Sequence, residues 1–208
     1  MLPSAQGSVL LSNALIVPPA AALDTGVGIG AEITICTVFK TSASGASGVM
    51  PLCLFGSSGA NGDRYDRDGQ VIDGGVAIYT QASGETDVRL TASANYRPAG
   101  DRSGGFMPLL PVEPESYVFA SYSVSANHAE YYFASPAATA SSGSFNAGEP
   151  TVTTGHTIHI GNKYYRNGFE GSAEVAEVII FEGVKTQSEL AAIYERSKTR
   201  LKYRGIDV

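Results

Sequence analysis

The chain of 208 residues carries 14 Lys and Arg against 20 Asp and Glu, a formal charge of −6. No basic stretch is interleaved with aromatics, so the electrostatic footprint of a nucleic-acid partner is missing. Charged residues make up only 16 % of the chain and Gly numbers 24, a balance that excludes a disordered polyampholyte and predicts an all-β class of short strands and turns.

The length suffices to bury one good core, so a single domain over residues 1–208 is expected. The opening, MLPSAQGSVLLSNALIVPPAAALDTG, is apolar. Its first basic residue is Lys40, however, and Ser12, Asn13 and Pro18 interrupt it, so it lacks the charged start and unbroken apolar centre of a secretory signal. No run of about eighteen uninterrupted apolar residues occurs, which argues against membrane insertion. EITICTVFK (32–40) and VMPLCLFG (49–56) are β-rich runs joined by the turn-rich TSASGASG, a pattern that predicts a hairpin. In a hairpin centred near Ser44 and Gly45, Cys36 and Cys53 would stand opposite each other. The reading adopted is two buried free thiols in a reducing compartment, with a bond between them as the alternative, because unbonded Cys packs as a small hydrophobe.

GANGDRYDRDGQ (59–70) concentrates Asp63, Asp66 and Asp68 before Gly69. A calcium loop of the EF type needs oxygen ligands at positions 1, 3 and 5 before Gly at 6, and this register puts Arg64 at the first position and Arg67 inside the loop. A solvated hairpin loop is expected, with a weak calcium or sugar-hydroxyl site as the alternative and no other cofactor. QVIDGGVAIYT (70–80) and TDVRLTASANY (86–96) flank Ser83-Gly84, and ESYVFASYSV (115–124) and AEYYFAS (129–135) flank a turn at Asn127, predicting two further hairpins. Residues 136–154, small, polar and broken by Pro and Gly, read as a surface loop. Strands resume at HTIHIG (156–161) and AEVAEVIIFEG (173–183), and no repeat of fixed period appears.

The end of the chain is the one helical segment. Thr186 and Glu189 form a capping box; Leu190, Ile193, Tyr194, Ser197 and Leu201 then fall on one face, and Gly205 is placed to stop the helix, which is expected over about 186–204. Arg196, Lys198, Arg200, Lys202 and Arg204 crowd its last turns, where the helix dipole favours cations; they read as a stabilised helix end and not as an anion site.

Glu174 and Glu177, at the mouth of an apolar run, raise the question of a glycosidase-like carboxylate pair. In a regular strand residues three apart point to opposite faces, so the two are expected to be unable to share a site. By the same rule His156 and His159 face opposite ways, and with His128 in a turn no zinc site is expected. There is no G-x-S-x-G elbow, no phosphate-binding glycine loop and no Cys placed beside a His, so no catalytic residue is nominated.

Residues 158–205, IHIGNKYYRNGFEGSAEVAEVIIFEGVKTQSELAAIYERSKTRLKYRG, resemble the C-terminal signature of concanavalin A-like lectin/glucanase (laminin-G-like) domains. The matching residues are Ile160, Gly161, Phe169, Gly171, Val175, Glu177, Val178, Ile179, Ile180, Phe181, Glu189, Leu190 and Tyr203. The resemblance implies a jelly-roll β-sandwich with one C-terminal α-helix, of the kind that recurs in bacteriophage tail and virion proteins, in secreted bacterial proteins and in glycan-active enzymes. The glucanase branch uses E-x-D-x-x-E or E-x-D-x-E; here Val175 and Ala176 interrupt the pattern and no Asp follows. For Glu177 the resemblance implies a structural hydrogen-bonding role.

The remaining candidates are aromatic and polar residues on expected loops: Tyr65; Asn95, Tyr96 and Arg97; and Asn162, Tyr164, Tyr165, Arg166 and Asn167. Tyr stacks on a sugar ring and bonds its hydroxyls, the mixture a glycan site needs. The expected function is non-catalytic recognition of a glycan or cell-surface receptor within a phage tail or virion, on a particle surface reached after cytoplasmic synthesis. A structural virion or homo-oligomerisation module that contacts other virion proteins is the alternative, and a glycan-cleaving hydrolase or lyase the third.

Overall fold

The computed structural model describes residues 9–10, 13–18, 22–28, 32–41, 49–54, 74–82, 88–96, 109–112, 115–125, 128–134, 138–144, 157–161 and 172–208. They form β1 (Val9–Leu10), β2 (Leu15–Val17), β3 (Ala22–Gly28), β4 (Ile33–Thr41), β5 (Val49–Leu54), β6 (Gly74–Ala82), β7 (Val88–Tyr96), β8 (Leu109–Val112), β9 (Val118–Ser125), β10 (His128–Ala134), β11 (Ala138–Ser144), β12 (Thr157–Gly161), β13 (Ala173–Glu182) and α1 (Gln187–Lys202). A seven-stranded sheet runs β1-β2-β13-β4-β9-β10-β11 and a six-stranded sheet runs β3-β12-β5-β6-β7-β8. Every neighbouring pair is antiparallel. The sheets pack face to face through β4, β13 and β9 against β5 and β6. No helix among the described residues is long and apolar enough to cross a membrane.

The hairpins expected at 70–96 and 115–135 form, as β6 with β7 and β9 with β10. The hairpin expected at 32–56 does not: β4 pairs with β13 and β9, while β5 lies in the other sheet between β12 and β6. Alternation along β4 sends Ile33, Ile35, Thr37 and Phe39 toward the six-stranded sheet and Thr34, Cys36 and Val38 away from it, toward the helix. Cys36 therefore points away from the sheet that holds Cys53, and it is a free thiol. Residues 138–144, expected in a surface loop, form β11 at the sheet edge, paired along its whole length with β10. Its sequence, ATASSGS, has neither β-branched runs nor alternation, and neighbour pairing overrides that weak propensity. His128 opens β10 and pairs with Ser125 and Ser144 instead of occupying a turn.

Two prolines sit where a strand tolerates a missing N–H. Pro51 lies in the register shift of β5 between Val49 and Leu52, and Pro111 lies on β8 at the edge of its sheet.

α1 covers the outer face of the seven-stranded sheet. Its capping box forms as expected, the Thr186 side chain accepting from the Glu189 N–H while the Glu189 carboxylate accepts from the Thr186 N–H at 2.8 Å. Leu190, Ile193, Tyr194, Ser197 and Leu201, the stripe read from the sequence, are its buried residues. They pack on Cys36, Val38, Phe119 and Ala134, with Tyr132, Ala176, Ile179 and Phe181 around them. Phe119, Tyr132 and Tyr194 form an aromatic triangle with ring centres 5.4 to 6.3 Å apart. At the far end Gly205 takes φ +74°, its N–H bonds Lys202 O at 3.0 Å and the Ile206 N–H bonds Leu201 O at 3.1 Å, the paired bonds of a Schellman stop. Ahead of the helix, a polar knot fixes the connection: Thr34 Oγ1 donates to Gly183 O at 2.9 Å, and the Lys185 N–H donates to Ser123 Oγ at 2.6 Å.

β13 contains a β-bulge. Glu174 and Val175 stand opposite Lys40 and Phe39, but Glu177 stands opposite Val38, leaving Ala176 as the extra residue. Lys40 and Val38 share a face of β4, so Glu174 and Glu177 also share a face, the one under the helix. The strict alternation expected from the sequence is broken there. Glu174 pairs with Lys40 at 2.9 Å and accepts a hydrogen bond from the Tyr117 hydroxyl. Glu177 Oε1 accepts from Arg200 Nε at 2.8 Å and Nη2 at 2.5 Å. Arg204 bonds the bulge itself, donating to Ala176 O at 3.3 Å, and also donates to Asn13 O.

Removing Thr186 onward should uncover Cys36, Val38 and Phe119 together and lead to unfolding or aggregation; a soluble truncation with an unchanged melting temperature would contradict this placement. Glu177→Gln should destabilise the fold by about 1 kcal/mol in chemical denaturation, because Arg200 keeps an acceptor but loses its opposite charge. Burial raises the Glu174 pKa, but the Tyr117 hydroxyl and Lys40 together outweigh it and hold the carboxyl below its usual 4.5. A depressed folded pKa stabilises the fold above the unfolded value and loses that contribution as pH falls through the folded one. The stability gap between wild type and Glu174→Gln should thus be full near neutral pH and close below the usual carboxylate pKa; a gap that grows on acidification would contradict it.

Candidate functional site

Strand registers sort the connections to two ends of the sandwich. At the first end β4, β6, β8, β10 and β12 finish while β5, β7, β9, β11 and β13 begin; at the second end the directions reverse. Segment 162–171 joins the finish of β12 to the start of β13 and so belongs to the first end, together with segments 42–48 and 83–87. Segment 55–73 and the finish of β7 belong to the second.

This topology divides the residues singled out from the sequence. Asn162, Tyr164, Tyr165, Arg166 and Asn167 lie outside the described residues, in the segment anchored at the first end. Asp63, Tyr65, Asp66, Asp68 and Arg97 also lie outside them, next to the second end. Asn95 and Tyr96 close β7 there, opposite Gly75 and Gly74. Of the nine candidate glycan-contacting residues, only Asn95 and Tyr96 fall within the described residues. His156 lies outside the described residues. His159 is buried on β12 with Nε2 3.7 Å from Asp24 Oδ2. Among the described residues no three His, Cys, Asp or Glu side chains are grouped to hold a metal ion.

The described part of the first end carries a cluster that sequence reasoning missed. Lys40 at the close of β4, Tyr117 just before β9 and Glu174 at the opening of β13 converge, with the Lys40 ammonium also 5.1 Å from the Tyr117 ring centre. Burial first, then the Glu174 bond, raises the Tyr117 hydroxyl well above its usual range, while Arg204 acts in the opposite direction, so the helix end is within electrostatic reach. Three strands distant in sequence supply these residues; a Lys closing an apolar strand and a Tyr before the next run were the visible signals, and neither names its partner.

Because of the bulge, geometry alone does not keep Glu174 and Glu177 apart. Their chemistry does. A general acid for glycosidic cleavage needs a carboxyl whose pKa is raised, and that of Glu174 is lowered by its partners. Glu177 is held by Arg200, with a side chain only 11 % exposed. Nor does Cys36 offer a nucleophile: burial above all, then the Glu177 charge, pushes its thiol up to about 12.

No family model and no curated protein matches the chain. Among solved structures it is similar to the receptor-binding domain of botulinum neurotoxin D, with a TM-score of 0.59 at 8% identity over 95% of this chain and 47% of that one. A structure of that serotype's ligand-binding domain in complex with N-acetylneuraminic acid matches at TM-score 0.57 and 9% identity, over 94% of this chain and 46% of that one. The chain thus spans about half the length of the toxin domains. It is also similar to a legume lectin-like domain from Entamoeba histolytica, with a TM-score of 0.54 at 8% identity over 85% and 87% of the two chains. Alginate lyase A1-II′ matches at TM-score 0.55 and 12% identity over 86% and 85%. At these identities the likeness concerns the fold, which is the one expected from the sequence: a lectin-like, jelly-roll β-sandwich with one C-terminal helix.

Proposed function

We propose that the chain is a non-catalytic module that recognises a glycan or a glycan-bearing cell-surface receptor, on the surface of a phage tail or another virion. The observation that carries the reading is the sandwich itself, matched over nearly its whole length by a domain solved with N-acetylneuraminic acid, an argument from fold analogy. The first end is the proposed contact surface. The segment that carries Asn162, Tyr164, Tyr165, Arg166 and Asn167 connects the finish of β12 to the start of β13, and it combines aromatic faces, amides and a cation suited to orienting a sugar. The second end, with Tyr65, Asn95, Tyr96 and Arg97, is an accessory surface, and any calcium bound by Asp63, Asp66 and Asp68 belongs to it.

A glycan-cleaving reading is favoured by one observation, the two-way coverage of an alginate lyase. The occupied glutamates weigh against a glutamate acid/base pair and leave a lyase mechanism to be tested directly, by ultraviolet absorbance of unsaturated uronates and by release of reducing ends from polysaccharides.

A glycan array, followed by calorimetry on the best hits, tests recognition. Tyr165→Ala should remove a stacking contact of about 1 kcal/mol and weaken binding several-fold with the melting temperature unchanged, with Tyr164→Ala measured alongside. If the tyrosine variants lose stability in place of affinity, or if no glycan binds, the assembly-module reading replaces this one.

A further inference from the structure

We propose that the last turns of α1 form a surface that binds an anionic glycan, one carrying carboxylates or sulfates along its chain. The inference rests on the glycan-recognition reading and names its ligand class.

The charge is unevenly placed. Residues 196–204 hold Arg196, Lys198, Arg200, Lys202 and Arg204 with no acid among them, so the formal −6 is made of +5 here and −11 elsewhere. The helix dipole is equivalent to about half a negative charge at this terminus and balances little of that excess. Contacts decide the rest. Of these five cations only Arg200 is ion-paired among the described residues, to Glu177. Arg196 bonds Ala192 O, Arg204 bonds Ala176 O and Asn13 O, and Lys198 meets the Tyr194 hydroxyl and ring. Those partners are neutral, so the positive charge remains. Lys198 also has Glu195 and Asp207 nearby and is less available than Arg196 and Lys202.

An aromatic stands among them. Tyr203 is 89% exposed, the most exposed of the large hydrophobic side chains described. Its spacing of seven, four and three residues from Arg196, Thr199 and Arg200 puts the four on one helical stripe. A phenol ring flanked by guanidinium groups offers a sugar face and an anion a joint site, since Arg pairs carboxylate and sulfate oxygens through a planar fork. The patch also lies toward the end of the sandwich where β13 begins. Arg204 touches Ala176, about 10 Å along the strand from Ala173, where the 162–171 segment enters β13.

The test uses the full chain and three polymers of matched length: polygalacturonate, dextran sulfate and neutral dextran, with binding followed by calorimetry at several salt concentrations. The triple variant Arg196→Gln, Lys202→Gln, Tyr203→Ala leaves the Arg200 and Arg204 contacts in place, and its melting curve verifies folding. Wild type should bind at least one anionic polymer tenfold or more tighter than dextran, with affinity that falls as salt rises. The variant should lose at least tenfold of that binding at an unchanged melting temperature. Neutral glycan binding that persists without preference for the anionic polymers overturns this inference and leaves glycan recognition standing. Absence of binding to any glycan overturns both. Equal affinity of the variant, or equal affinity of wild type for single-stranded DNA of the same charge, also overturns it.

Discussion

One extra residue in β13 governs how the helix and the sandwich meet. Without the bulge at Ala176, Glu177 would face the six-stranded sheet, an uncompensated carboxylate in the apolar layer among Phe39, Ile35 and Val118. A buried lone charge is far costlier than the local irregularity of a bulge. With the bulge, Glu177 turns outward to Arg200, the freed Ala176 carbonyl accepts from Arg204, and Ile179 and Phe181 come round to meet the helix. The sheet segment beyond it returns Val178 and Ile180 to the sandwich interior, opposite Thr37 and Ile35.

The docked helix then settles several other questions. It gives the seven-stranded sheet a second apolar layer, so Cys36 and Val38 on one face are as buried as Ile35 and Phe39 on the other. It consumes the carboxylate that looked most like machinery. It also carries its basic last turns back along β13 to Ala176 and Glu177. Structure and proposed function thus share one set of contacts: the arginines that anchor the helix at its inner side are neighbours of the cations and the tyrosine left at its surface.

Much of this was legible in the chain. The helix, its cap, its buried stripe and its glycine stop follow from local spacing, because an amphipathic helix states its own partners' polarity. The β6–β7 and β9–β10 hairpins were visible for the same reason, their turns being short. What escaped was non-local. β4 and β5 lie close in sequence and read as a hairpin, yet both neighbours of β4 are taken by β13 and β9, and β5 crosses to the other sheet. β11 lacked propensity and gained its structure from β10. The bulge has no glycine or proline to mark it, and VAEV reads equally as alternation. The Lys40, Tyr117 and Glu174 cluster depends on three strands whose order no local pattern encodes, and the division of the candidate residues between two ends depends on the registers.

The central claim is that recognition occurs at the first end. Hydrogen–deuterium exchange of the full chain, with and without polygalacturonate, tests it without altering any residue. The account predicts slowed exchange confined to segments 42–48 and 162–171, the start of β13 and residues 196–205 of the helix end. Slowing confined to segment 55–73 and the finish of β7, or the absence of any slowing at concentrations that saturate binding, would contradict it.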